Sequence, residues 1–519
     1  MAAPQDEEAK KLPYGTDFSA SDSGSIEAEE VYAYDDSRKL GITSSVFLIL
    51  NKMIGTGIFS TPSGIFKSTG SVGVSLFLWV IGGILTASGL SVYLEFGLQI
   101  PFSGGEKNYL ERVYRHPKYL ASCVFLSQMI LLGFSTGNSL AFGRYVLFAA
   151  GNEDPDKWVA RGVGIVCITV AVIIHAVIPK WGMRLFNILG IFKVVVLLLI
   201  VFSGFAALSG HLKVEKPNNF KNAFEFQNFG GGVYNYATAL LRIVYSYKGW
   251  ENANYVLGEV KRPQRTLSIA GPLAVGLATL LYVLANVAYF AAVSMEDIVA
   301  SKLLIAGYFF RNVFGNSAGA KALPVFVALS NFGNVLAVSF AHARVNQEFA
   351  KEGILPFSKF WASNKPFNAP AASLFLHWIV TVIVLIAPPA GEAYEFIVDL
   401  YTYPGAWINS FVAIGLLYLH YKKSENWTSP WHSPDIVTII FFLSNVFLAI
   451  VPFIPPDEPS TSYPHYVFPV VGVGVLILGV FYWAIWAKLK PKLGGYRVEA
   501  ERIVEDGNEV IRYRKAKVN

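Results

Sequence analysis

The chain has 519 residues, of which 53% are hydrophobic and only 15% are charged, and its formal net charge is +6. A soluble domain carries roughly 25% charged residues, and it cannot bury many charge-free apolar runs longer than about 18 residues, which is the length of a membrane-spanning helix. The composition therefore excludes a set of soluble domains and predicts an integral membrane protein. The two cysteines, Cys123 and Cys167, both lie in apolar runs, which excludes a disulfide framework and a CxxC metal site.

The two ends of the chain differ in charge. Residues 1–40 are polar and acidic, a composition typical of a disordered tail, which we expect in the cytoplasm. Residues 490–519 are rich in Lys and Arg, and a basic segment that follows a membrane helix commonly faces the anionic cytoplasmic leaflet. Between these tails, residues 41–489 are predicted to form one transmembrane domain.

The apolar runs predict twelve membrane-spanning helices in chain order. Their approximate ranges are 43–66, 71–98, 118–149, 161–178, 184–209, 233–257, 266–294, 321–348, 370–389, 396–421, 434–454 and 464–487. An even number of spans places both termini on one side of the membrane. The loops on that side carry more Lys and Arg than the opposite loops, which predicts that both termini are cytoplasmic.

Two of the predicted helices are interrupted. Gly55-Thr56-Gly57 breaks the first span, and residues 247–252 break the sixth. Because five spans separate the breaks in order, they occupy matching positions in two halves of inverted orientation, a pattern typical of secondary transporters. The predicted fold class is an all-α membrane protein with twelve transmembrane helices: two inverted five-helix repeats with broken first and sixth helices, plus two extra helices. The domain of residues 41–489 is then a transporter domain.

A broken helix inside a membrane exposes backbone groups that must line a cavity or bind a ligand. Freed N–H groups at the start of a half-helix favour a carboxylate, and freed carbonyl groups at the end of the other half favour an ammonium. The first span could therefore bind both poles of an amino acid. Alternatively, its two glycines only permit close helix packing.

Several motifs between residues 40 and 490 resemble one family. They are GTGIFSTPSGIF (55–66), EFG (95–97), SGGEKNYLE (103–111), NILGIFK (187–193), GWENANYVLGEVKRPQRTL (249–267) and APPAG (387–391). With these motifs the chain resembles the amino acid–polyamine–organocation superfamily, and within it the L-type amino acid transporter branch. The group that it resembles most is that of the fungal high-affinity methionine permeases.

The resemblance implies a substrate site between the two breaks. It implies that the substrate α-carboxylate binds the backbone at Gly55, Thr56, Gly57 and Ile58. It also implies that the α-ammonium binds carbonyls near Ile54 together with Tyr245 and Ser246, and that Tyr245 is an aromatic gate. From the residues alone, Tyr245 could equally be a core residue. Asn138 could line the same pocket, although single polar residues in spans more often bond neighbouring helices.

Three charged residues lie within predicted spans. Lys193 follows NILGIF, and a buried ammonium is costly unless it is paired or deprotonates, so we expect it to couple transport to protons rather than to reach the interface. The family carries a Lys there, in the place where sodium-coupled relatives bind the ion. Lys248 and Glu251 depart from the family, which has small or neutral residues at these positions. They could pair with each other, or Lys248 could contact the substrate side chain.

These features predict a secondary active permease that imports neutral amino acids, of the methionine type or related, by proton-coupled alternating access. The alternatives are an obligatory amino acid exchanger and a receptor that binds amino acids without transport. We expect no enzyme activity, no cofactor and no metal, since no His pairing or phosphate-binding motif occurs. The expected partners are the amino acid, protons and membrane lipid, with no nucleic acid. The animal L-type transporters that the chain resembles use a Cys in the loop after the third span to bridge a heavy subunit. Residues 151–160, which form this loop here, lack a Cys, so no disulfide-linked heavy subunit is expected. The expected location is the plasma membrane.

Overall fold

The computed structural model describes residues 41–100, 105–251, 254, 260, 262–315, 318–365, 367–388, 393–456, 463–505 and 508–517. The predicted tail of residues 1–40 lies outside this part of the chain, as do parts of the motifs that begin at residues 103, 249 and 387. The described residues are overwhelmingly helical, which confirms the predicted all-α fold class.

In the first half of the chain, the described residues form ten helices. They are α1 (Ile42–Met53), α2 (Thr56–Ser60), α3 (Pro62–Thr69), α4 (Val72–Gln99), α5 (Glu106–Val113), α6 (Leu120–Leu131), α7 (Thr136–Ala149), α8 (Lys157–Val177), α9 (Pro179–Leu208) and α10 (Gly232–Tyr247). Local sequence explains several of their ends. The Asp156 side chain caps α8 by accepting hydrogen bonds from the N–H groups of Trp158 and Val159, and Gly70, with φ 66°, ends α3.

Over the described part of the second half there are ten further helices and a hairpin. The helices are α11 (Pro263–Ala292), α12 (Met295–Ala300), α13 (Ile305–Phe314), α14 (Ala318–Lys351), α15 (Ser358–Trp361), α16 (Ala371–Ile386), α17 (Ala393–Tyr421), α18 (Asp435–Ile450), α19 (Val467–Trp483) and α20 (Lys490–Gly494). Short 3₁₀ segments cover Lys423–Glu425 and Val451–Phe453, and a π-helical segment covers Ala484–Leu489. The strands are β1 (Tyr496–Glu505) and β2 (Asn508–Lys517).

Within the described residues, nine helical segments are long and apolar enough to cross a bilayer. A tenth apolar helix, α16, is shorter. Helix α10 has 16 residues because it stops at the second break. The protein is thus a multi-pass membrane protein, and the number of twelve spans stays a prediction.

Both predicted interruptions are present. Helix α1 ends at Met53, Ile54 and Gly55 are extended, and α2 begins at Thr56. Helix α10 ends at Tyr247, Lys248 is extended, and Gly249 has φ 123°. That φ lies in the region where a Cβ is unfavourable, so glycine allows the chain to leave the helix at this point.

The C-terminal segment is an antiparallel hairpin, and sequence analysis predicted only a basic tail there. Its register pairs Tyr496 with Lys517 and Ala500 with Tyr513. The hairpin contacts the helical bundle through Tyr513, whose N–H donates to the Glu352 carbonyl (2.7 Å) and whose hydroxyl donates to Glu111 (2.7 Å). The hairpin therefore joins α5 to the residue that follows α14.

Candidate functional site

A cavity lies between the two helix breaks. Seven of the residues predicted from sequence line it: Gly55, Thr56, Gly57, Asn138, Tyr245, Ser246 and Lys248. It offers about 30 Å³ to the centres of water molecules, room for about two waters, since one water needs roughly 10–15 Å³. An amino acid therefore enters only if lining side chains move.

The first break presents a backbone donor to this cavity. The Thr56 N–H donates to Oδ1 of Asn138 on α7 (3.2 Å), and the Asn334 side chain donates to the same oxygen (3.1 Å). The Thr56 hydroxyl lies 2.9 Å from that of Tyr394. An amide oxygen thus occupies the acceptor position that a carboxylate oxygen would take at the start of α2.

The two breaks pack against each other very closely. A Cβ added to Gly57 would lie 2.5 Å from Ser246 Cα, and one added to Gly55 would lie 1.8 Å from Asn334 Nδ2. The Thr61 hydroxyl bonds the Gly57 carbonyl (2.8 Å) and lies 3.0 Å from the Ser246 hydroxyl. The glycines therefore do permit close packing, the alternative interpretation of this motif: Gly57 packs against α10 just before the second break, and Gly55 packs against Asn334 on α14.

Tyr282, which sequence reasoning missed, links the carbonyl groups of the two breaks. Its hydroxyl lies 2.7 Å from the Met53 carbonyl oxygen and 3.1 Å from that of Ser246. Both carbonyls lie at the ends of half-helices, where an ammonium is expected to bind. A tyrosine in an apolar run gives no local signal of such a role.

Three predicted residues lie outside the lining of the cavity. The side chains of Ile54 and Ile58 are fully buried, so only their backbone groups remain available to the predicted site. Lys193 on α9 is also fully buried, and its ammonium donates to the Asn51 carbonyl (2.7 Å) in the last turn of α1. It therefore lies behind the first break and contacts the helix that breaks.

Lys248 reaches the cavity from the second break. Its ammonium lies 4.5 Å from the centre of the Tyr401 ring on α17. In the described part of the chain it forms no ion pair with Glu251, whose carboxylate accepts the Gly249 N–H (3.0 Å). A desolvated cation–π contact is worth about 2 kcal/mol, whereas burying an ammonium costs several kcal/mol, so the ring compensates only part of the cost. Of the two arrangements left open by the sequence, this geometry favours contact with the substrate side chain.

Arg242 on α10 forms the most extensive ion network near the cavity. Its Nη2 lies 3.1 Å from Asp399 and 3.3 Å from Glu395, both on α17, and Nη1 donates to the Gly64 carbonyl (3.4 Å). Sequence reasoning missed this network. The sequence did contain one indication of the network: Arg242 is a charged residue inside a predicted span, and such residues usually pair with another charged group and have a functional role.

A second polar cluster surrounds the end of α4. Ligand atoms of Glu95, His420 and His432 lie within 4.8 Å of one another, a spacing that a metal ion could use. Hydrogen bonds already account for the arrangement, because the two nitrogens of His420 lie 2.7 Å from Glu95 and 2.7 Å from Asp435. We therefore treat it as a structural network that ties α4, α17 and α18 together.

Comparison of this sequence with known protein families identifies the family to which the chain belongs. The family model described as "Amino acid permease" matches residues 40–476. The chain belongs to the amino acid permease family.

Among its relatives, the high-affinity methionine permease of Saccharomyces cerevisiae is 40% identical over 95% of this chain and 86% of that permease. The human cystine/glutamate transporter is 30% identical over 90% of this chain and 88% of that transporter. The mouse Asc-type amino acid transporter 1 is 29% identical, covering 88% and 82%. The resemblance inferred from the motifs is thereby confirmed, and the chain is a transporter rather than an enzyme.

Proposed function

We propose that this permease imports amino acids as a secondary active transporter, by alternating access and with proton coupling. The observation that carries the proposal is the convergence of the two helix breaks on one cavity. Close contact between Gly57 and Ser246 joins the breaks, and Thr56 directs a backbone N–H to an amide oxygen there. A substrate carboxylate would replace that oxygen as the acceptor.

The ammonium of the substrate would bind on the opposite side of the breaks. The candidate acceptors are Ser246 and the carbonyls at the end of α1, and the Tyr282 hydroxyl already bridges the carbonyls of Met53 and Ser246. Tyr245 lines the cavity, with its ring edge-on to that of Tyr401 (5.8 Å between centres), which supports a gating role. Movement of this ring would admit a substrate to a cavity that has room for about two waters.

Lys193 is the proposed coupling residue. Its ammonium donates to a carbonyl of α1 just before the break, so gain or loss of its proton would change a contact of the helix that binds substrate. Lys193 is also fully buried, which makes its charged form costly without that contact. These features support proton coupling at this position.

The relatives support neutral amino acids of the methionine type as substrates, since two curated relatives of Saccharomyces cerevisiae are a high-affinity and a low-affinity methionine permease. We propose that the protein lies in the plasma membrane with both termini in the cytoplasm. We further propose that membrane lipid surrounds it and that it works without a disulfide-linked heavy subunit. Both cysteines, Cys123 and Cys167, are buried and free, in keeping with that last point.

Uptake of labelled methionine into cells that lack their own amino acid permeases tests the proposal. We expect net uptake into cells depleted of internal amino acids, and we expect it to increase as the external pH falls. Uptake that requires preloaded amino acid would identify an exchanger, and binding without flux would identify a receptor. Either result would refute proton-driven import.

A further inference from the structure

We infer that Lys248 determines specificity by binding an anionic group at the end of the substrate side chain. This inference rests on the proposed function and extends it. The substrates would include α-amino acids whose side chain ends in a carboxylate or an equivalent anion, alongside the neutral ones.

The first support is the position of the lysine. Lys248 is half-buried and lines the cavity, and its side chain extends toward α17, which its ammonium contacts. There it lies over the Tyr401 ring, and a Cβ added to Gly405, one turn further along α17, would be 3.6 Å from it. The α-amino acid backbone is expected at Thr56 and Ser246, so the ammonium is available to the side chain of a bound amino acid.

The second support is that no carboxylate of the described residues touches the Lys248 ammonium, although Glu251 and Glu106 act on it from a greater distance. Other buried cations have oxygen partners: Arg242 has two carboxylates, Lys107 has Glu352, and Lys193 has the Asn51 carbonyl. In the described residues, the Lys248 ammonium has neither a hydrogen bond nor an ion pair within 4.0 Å, and its one polar contact is the face of Tyr401. Buried ammonium groups normally have a partner, so a site that leaves one facing a cavity is suited to a ligand that brings the anion.

The third support is the charge of the remaining lining. Lys52 also lines the cavity, and in the described part of the chain it has no ion pair either. The nearest acid that the second break contributes is Glu251, and its carboxylate is held by the Gly249 N–H. The charged side chains of the lining itself are thus two lysines, and Glu251 opposes them only from beyond ion-pair distance, which favours an anionic substrate side chain over a cationic one.

A simpler role for Lys248 would be to fill space. A long side chain in a cavity with room for about two waters would then restrict the permease to small amino acids. The two roles differ in one respect: space filling depends on the length of the side chain, and anion binding depends on its charge. Lys248→Met keeps most of the length and removes the charge.

The test uses labelled glutamate and glutamine, which have nearly the same shape and differ in charge, with labelled methionine as the reference. Uptake of each is measured for the wild type, Lys248→Met, Lys248→Arg and Lys221→Met, at equal amounts of protein in the membrane. Lys221→Met is the matched control, because Lys221 is exposed in the segment before α10 and its loss changes the net charge equally. In the wild type we expect a preference for glutamate over glutamine of about tenfold or more, the size expected for a desolvated charge pair.

The preference should fall to near one in Lys248→Met and should persist in Lys248→Arg and Lys221→Met. Methionine uptake without any preference for glutamate in the wild type would overturn the inference and leave the proposed function intact. So would a preference that survives in Lys248→Met. If the wild type transports none of the three, the proposed function fails. The inference is then decided by thermal stabilisation of the purified protein, which glutamate must produce more strongly than glutamine.

If Lys248→Met does not fold, the wild type and Lys248→Arg still decide the question, since both must prefer glutamate.

Discussion

Arg242 and Asp399 form a two-point ion pair between α10 and α17, with Nη2–Oδ2 at 3.1 Å and Nε–Oδ1 at 3.3 Å. The Arg242 carbonyl accepts the hydroxyl of Ser246, one turn before the second break (2.8 Å). The pair therefore joins α17 directly to the helix turn that precedes the cavity.

Substitutions in this network should differ in severity. Arg242→Met leaves Asp399 buried without its cation, and breaking a buried pair in this way costs about 3–5 kcal/mol. Glu395→Gln should be milder, because Glu395 is 27% exposed and Asp399 continues to hold the arginine. We expect Arg242→Met to reduce the amount of folded permease at the membrane strongly, and Glu395→Gln to keep most of it, as measured by surface labelling and size-exclusion chromatography. Equal losses in the two variants would contradict this ranking.

Gly57 should tolerate no side chain. Valine would place its Cβ where Ser246 Cα is 2.5 Å away, so the two breaks would have to separate. We expect Gly57→Val to reduce uptake to background. Gly162→Val on α8 is the control, since a Cβ there meets no atom within 4 Å, and its uptake should stay near that of the wild type. Near-normal uptake by Gly57→Val, at equal surface expression, would remove the contact of the two breaks from the mechanism.

The sequence predicted the features that have a local signature. The Gly55-Thr56-Gly57 break has one, because paired glycines interrupt an apolar helix, and the all-α fold has another in its long apolar runs. Tyr282 and the Asp399 partner of Arg242 have none, because their roles arise from contacts between residues far apart in the chain. The C-terminal hairpin was missed for a similar reason. Its basic composition predicts a cytoplasmic tail, whereas its packing on the helices depends on the hydrogen bond from Tyr513 to the distant Glu111.

Lys193→Met should separate coupling from binding. The substitution keeps the apolar stem and removes the ammonium, so the Asn51 carbonyl loses its hydrogen bond from Lys193. We expect the variant to lose pH-dependent net uptake while it retains exchange of external for internal labelled substrate. Both are measured in the same proteoliposomes, with and without an imposed pH gradient. A pH profile identical to that of the wild type would assign Lys193 a purely structural role.

Glu352 connects three segments at the end of α14. Its carboxylate forms an ion pair with Lys107 on α5, and its carbonyl accepts the N–H of Tyr513 on β2. Burial raises the pKa of the Glu352 carboxyl to about 7, although the neighbouring Lys107 ammonium acts in the opposite direction. The folded chain thus holds this proton more tightly than the unfolded chain, where the ordinary pKa is 4.5.

The pKa of Glu352 predicts a dependence of stability on pH. A raised pKa contributes stability that is complete below the unfolded value of 4.5 and is lost as the pH rises through about 7. The thermal unfolding midpoint of the purified permease should therefore fall between about pH 5.5 and pH 8, and it should fall less in Glu352→Gln, which has no carboxyl to ionise. Glu153→Gln is the control, since Glu153 is 55% exposed and is not one of the charges that shift the pKa of Glu352, and it should reproduce the slope of the wild type. A steeper or unchanged slope in Glu352→Gln would show that ionisation of Glu352 does not oppose folding in this range.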